Sequence, residues 1–214
     1  PAFIRIYFGF KESRINLTLI KERSSFIVNS YLLYAARTSY AYVDRLIIVP
    51  LFGYTILGNY ELAMQGIILG NVFAVFIYNY LLPKDAREES TYRLKIYAII
   101  GSTLISLLVI FVSPHILPIL FPQFQDAVDL IPIMGLSIVP HVFTMLYISK
   151  FLSSENSRLI VISSVIHFII LVSAILILTH YYSTMGLVIA FVLGEIGESL
   201  FLMFMHKKVF KSFI

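Results

Sequence analysis

Six long apolar stretches, joined by connections that alternate between carrying several Lys or Arg and carrying none, leave this 214-residue chain one environment in which to fold. Crossing a hydrocarbon core of ~30 Å takes about 20 apolar residues as a helix. The sequence predicts such spans at 26–52, 62–82, 96–120, 130–149, 159–182 and 185–206. Four of them, 62–82, 96–120, 130–149 and 159–182, hold no Asp, Glu, Lys or Arg. The sixth carries Glu195 and Glu198, and the first carries Arg37, Asp44 and Arg45. The expected fold is therefore an all-α polytopic bundle of six transmembrane helices. Before it, residues 1–25 mix Ile, Phe and Leu with Arg, Lys and Glu, as an interfacial amphipathic segment or a linker would. Residues 207–214 form a basic tail.

The distribution of positive charge predicts orientation, because short cytoplasmic loops retain Lys and Arg. Arg5, Lys11, Arg14, Lys21 and Arg23 precede the first span, and Lys84, Arg87, Arg93 and Lys95 separate the second from the third. Lys150 and Arg158 separate the fourth from the fifth, and Lys207, Lys208 and Lys211 follow the sixth. The connections at 53–61, 113–129 and 181–184 have none. Both termini are thus expected in the cytoplasm, with the chain multi-pass in the cell membrane. This pattern accounts for the net charge of +4 without a nucleic-acid partner. The composition, 59% hydrophobic and 13% charged, excludes an ordinary water-soluble domain.

The first span is the exception that suggests function. A charge at the bilayer centre costs roughly 2.5–3.5 kcal/mol on insertion scales, so three in one helix imply a protein-lined or watery surrounding. Arg37 falls about 16 Å in from residue 26, near the midplane. Ser30, Arg37 and Asp44 are spaced to share a helix face, flanked by Tyr34 and Tyr40, while Arg45 points elsewhere. These six residues are candidates for a substrate path, in which Arg37 or Arg45 offers a guanidinium fork to phosphate or carboxylate. The alternative is structural pairing with acids on other helices, for which Glu195 and Glu198 are available. Asp44, Glu195 and Glu198 are also candidates for coupling an ion. His141 and His167, within the fourth and fifth spans, read as hydrogen-bonded core residues, with a proton relay as the alternative. Pro132 and Pro140 are expected to interrupt the fourth span, and Gly66–Gly70 and Gly186–Ala190–Gly194 to mark close helix contacts.

The chain has no cysteine, which removes disulfides, thiol catalysis and Cys-ligated metal. It has no phosphate-binding P-loop, no HExxH and no GxSxG, and neither a cofactor nor a metal site is expected. Glu88, Glu89 and Arg93 spell an EExxxR that is similar to one element of intramembrane prenyl-protein proteases. His115 of a matching FxxxH lies across a whole span from it, and the reading is therefore not that of an enzyme.

Asp44-Arg45 and the aliphatic run after it, followed by Gly58, Tyr60 and Ala63, resemble the hairpin between the seventh and eighth helices of polysaccharide flippases. Leu81-Leu82-Pro83, the run Phe151 to Arg158 and Gly186 to Glu195 are similar to further stretches of that family, within the multidrug, oligosaccharidyl-lipid and polysaccharide exporter superfamily. The resemblance implies one six-helix lobe of a two-lobed transporter, the C-terminal half. It further implies that the partner is an N-terminal lobe or a second copy, and that the substrate is a polyprenyl-(di)phosphate-linked oligosaccharide flipped for cell-surface polysaccharide export. A multidrug or cation antiporter of the same superfamily, and a membrane scaffold subunit without transport, remain as alternatives.

Overall fold

The computed structural model describes residues 42–210 continuously, preceded by isolated positions between 21 and 35. Six helices lie within the continuous part: α1 (Val43–Ala86), α2 (Tyr92–Leu120), α3 (Gln125–Gly135), α4 (Ile138–Ser153), α5 (Ser157–Tyr182) and α6 (Thr184–Phe210). Of these, α1, α2, α5 and α6 are long and apolar enough to cross a bilayer, and α3 with α4 makes a fifth crossing when the two are taken as one span bent by 41°. The chain is an all-α, multi-pass membrane protein. Its outer surface is apolar all round, with Leu104, Phe111, Leu176 and Phe204 among the many large side chains that face outward. Those are the groups that lipid tails solvate.

The helical run of α1 is broken at Gly53, where φ is 78° and ψ is 179°. A straight helix would hold residues 16 positions apart about 24 Å from each other. Tyr60 nevertheless donates to Asp44 Oδ2 at 2.7 Å, and the guanidinium of Arg45 pairs with Glu61. The chain therefore reverses at Gly53, and α1 is a hairpin of two helical arms. This corrects two expectations. The connection at 53–61 is not a loop, and the Gly58-Tyr60-Ala63 stretch, matched above to a hairpin, lies in its second arm and not in its turn, because helix resumes directly after Gly53. One residue suffices for the reversal since glycine alone enters this backbone region without a Cβ penalty. The expected spans at 26–52 and 62–82 become an arm ending at Gly53, described from Val43 onward, and an arm running to Ala86.

The fourth span is broken where its sequence weakens it. Pro140 has no N–H to give the carbonyl four residues back, at Leu136, and its ring crowds that turn. The break lies there, at Leu136–Ser137, and the polar backbone it releases is used: Ser106 donates to the Gly135 carbonyl at 2.8 Å and Ser137 to the Met134 carbonyl at 2.6 Å. Pro132, Pro114 and Pro118 sit inside continuous helix. The connection at 113–129 shrinks accordingly, because α2 extends to Leu120.

Among apolar helices in lipid, close approach and interhelical hydrogen bonds supply the association that burial supplies in water. Gly66 and Gly70 sit against Ile131 and Ile138, and Gly194 and Gly197 admit His167 and Ile170 of α5. Ser183 alone links α5 to α6, and Gly186 lies against the Leu178 main chain. The sequence did not point to Gly101, which sits under the ring of Phe73. Near the Gly53 end the core is built from Ile48, Tyr60, Ile67, Ile131, Met134, Ile175 and Leu187; near the Asp85 end it is built from Tyr147, Phe151, Ile160 and Leu202.

Nothing stands within 4 Å of a Cβ added at Gly53. Gly53→Ala is therefore expected to destabilise through backbone strain alone, by about 1–3 kcal/mol. Thermal unfolding in detergent micelles checks this; an unchanged midpoint would show that Gly53 does not carry the reversal.

Candidate functional site

Among the described residues, three sets of ionisable side chains are buried at three depths. At the Gly53 end, Asp44 is buried, accepting from Tyr60 Oη and, at 2.8 Å, from the Arg45 backbone N–H. Arg45 is half-buried, paired with Glu61 and placed 4.8 Å over the ring of Tyr42. Asp44 and Arg45 thus stay adjacent but serve different partners on the second arm of the hairpin. Neither reaches Glu195 or Glu198. Ser30, Tyr34, Arg37 and Tyr40 lie outside the described residues.

At the Asp85 end, Asp85 holds α1, α2 and α4 together. It accepts from Thr91 at 2.9 Å and Ser149 at 2.6 Å, and lies 3.4 Å from Lys95 Nζ. A cleft of about 310 Å³ opens beside it, lined by Glu88, Glu89, Tyr92 and Lys150 among others. Because three donors converge on the one carboxylate, this cluster is a strong fastening between helices.

The third set lies at mid-depth, where α4, α5 and α6 meet. Glu195 and Glu198 are both buried on α6. Nδ1 of His141 on α4 lies 3.1 Å from Glu195 Oε2, and Nδ1 of His167 on α5 lies 3.1 Å from Glu198 Oε2. Ser163 Oγ stands 3.1 Å from the other oxygen of Glu198. Gly194 allows this geometry, since a Cβ there would sit 3.1 Å from Nε2 of His167. The two histidines are core residues with polar partners, as the sequence suggested, and each partner is an acid of α6. The signal was present: two carboxylates at membrane depth require donors, and away from their ends the fourth and fifth spans offer only these two histidines as ionisable partners.

Energetics makes this set the candidate site. Two carboxylates three residues apart on a helix are about 6 Å from each other, and at an effective dielectric of 20 their repulsion is roughly 3 kcal/mol. Desolvation adds several kcal/mol for each unpaired ion. Placing an imidazole against each acid offsets both costs. No protein family, no curated protein and no solved structure matches this chain.

Tyr60→Phe would leave Asp44 without its side-chain donor. Losing a hydrogen bond to a buried acceptor costs about 1–3 kcal/mol. A fall in the unfolding midpoint is expected, and wild-type stability would show that the hydroxyl does not hold the hairpin.

Proposed function

We propose that this chain is one lobe of a membrane transporter, and that it takes part in flipping a polyprenyl-(di)phosphate-linked oligosaccharide across the cytoplasmic membrane for surface polysaccharide export. The observation that carries the transporter reading is the quartet His141, Glu195, His167 and Glu198 at mid-depth. Ionisable groups there are expensive and mark substrate or ion pathways by default. In this reading the quartet couples an ion to the movement of the lobe, with Asp44 as a further candidate. The saccharide substrate rests on the resemblance to polysaccharide flippases, together with the positive charge that Arg37 brings to the middle of the first span. A second lobe, N-terminal or a second copy, completes the cavity, and both termini face the cytoplasm.

One observation favours a second reading. Arg45, the arginine of the first span that the structure describes, is engaged by Glu61 and Tyr42. A site whose remaining buried ionisable groups are carboxylates and imidazoles also suits an antiporter of organic cations.

Flux of a fluorescent polyprenyl-diphosphate oligosaccharide in proteoliposomes separates the two. At matched levels of folded protein, Arg37→Ala is expected to lower flux at least tenfold and Glu195→Gln to uncouple it from an ion gradient. Wild-type flux in Arg37→Ala, with loss of organic-cation transport in Glu195→Gln, would establish the antiporter instead.

A further inference from the structure

The cleft at the Asp85 end holds two charges that the fold itself does not use. Its walls are the end of α1, the connection at 87–91, the first turn of α2 and the last turn of α4, and its volume is about 310 Å³. That is the lower end of the range for small-molecule sites, the size of a polar head group and not of a whole lipid. Asp85 and Lys95 are buried and satisfy each other, with Thr91 and Ser149 completing the carboxylate. Glu89 is paired at the surface with Lys84 and Arg87. Lys150 and Glu88 remain, and among the described residues neither forms an ion pair, with the other or with a third group. Lys150 stands 5.7 Å from the centre of the Phe210 ring, a contact that brings no counter-ion.

A ligand of one sign would balance one of these residues and oppose the other, whereas a ligand carrying an anion and a cation meets both. On the anion side, α2 supplements Lys150. Its N-cap residue, Thr91, gives its hydroxyl to Asp85 and not to the helix, and its first turn contains no acid. The amides that begin α2 are thus left without a side-chain cap, and the positive end of the helix dipole favours a phosphate there. On the cation side, Glu88 accepts N–H donors, and Ser90 and Tyr92 stand in the same lining. Tyr80, Tyr92 and Tyr97 are exposed at this end together with Arg87 and Arg93. Tyrosine rings and positive charge of this kind mark the level of lipid head groups. Further along α2, Ile100, Leu104 and Leu108 face outward. A lipid whose tails lie on that apolar surface brings its head group to the cleft.

We infer that this cleft binds the head group of a zwitterionic phospholipid with a primary amine, phosphatidylethanolamine, its phosphate at Lys150 and the start of α2 and its ammonium at Glu88. A primary ammonium donates hydrogen bonds to a carboxylate, and a choline has none to donate, so the cleft distinguishes the two. The inference goes beyond the transporter reading and does not depend on it.

Native mass spectrometry of the protein in detergent micelles doped with phosphatidylethanolamine, phosphatidylcholine or phosphatidylglycerol of the same acyl chains tests it. A single phosphatidylethanolamine per chain is expected to be retained, tighter than either other lipid by about tenfold, the effect of one hydrogen bond to a charged group. Glu88→Gln is expected to abolish the preference over phosphatidylcholine, and Lys150→Gln to weaken both lipids alike. Lys208→Gln, on the exposed side of α6, is expected to change nothing. Glu88 is exposed in the connection, so its variant guards against misfolding of Lys150→Gln, with the unfolding midpoint measured for all. Equal retention of the lipids by wild type overturns the inference, as does tighter binding of phosphatidylglycerol or an undiminished preference in Glu88→Gln. Displacement of the lipid by glycerophosphoethanolamine at equal concentration would show that a soluble phosphoamine fills the cleft, and the lipid assignment would fail.

Discussion

Hydrocarbon offers no water to a charge, and that constraint shapes each polar contact in this bundle. In a soluble protein a stray carboxylate can turn outward. Here the outside is lipid, so an acid on a helix must find its donor on a neighbouring helix or at a membrane surface. Asp44 finds Tyr60, Asp85 finds Lys95, Thr91 and Ser149, and Glu195 and Glu198 find His141 and His167. Apart from Thr91, which precedes α2, each of these partners lies on a separate helix or on the other arm of the hairpin. The same groups that would be costly if unpaired therefore specify which helices are neighbours and in what register.

The backbone obeys the same rule. Where Pro140 opens the fourth span, Ser106 and Ser137 cover released carbonyls. At two of the turns the connection is reduced to a single residue, Gly53 or Ser183, so that the amides on either side stay within a helical ladder. Short turns of this kind suit a chain whose connections lie close to lipid.

Length and hydropathy made most of the helices legible in the sequence, because a stretch such as 159–182 has no charge and no breaker. The small-residue contacts of Gly66, Gly70 and Gly194 were legible for the same reason: spacing of four on a helix puts them on one face. The hairpin was legible only as a connection. The absence of Lys and Arg at 53–61 marks the end of a span, but helix propensity there does not reveal that one glycine makes the whole reversal. The partners of the acids were hidden for a different reason. Pairing depends on the rotation of each helix about its axis, which tertiary packing sets. Arg45 and Glu195 were plausible partners by charge, yet Arg45 turns to Glu61 across the hairpin, and Glu195 turns to a histidine 54 positions away.

The single-residue link at Ser183 makes α5 and α6 a mechanical unit. Their glycines seat the two helices against each other, and no slack is available for one to slide past the other. The His167–Glu198 pair lies inside that unit. The His141–Glu195 pair lies across its boundary, on α4, which begins at the bend of Leu136–Ser137. A pivot at that bend would therefore pull His141 away from its carboxylate and leave the other pair undisturbed, so that the distance between His141 and Glu195 would act as a gauge of the position of α4.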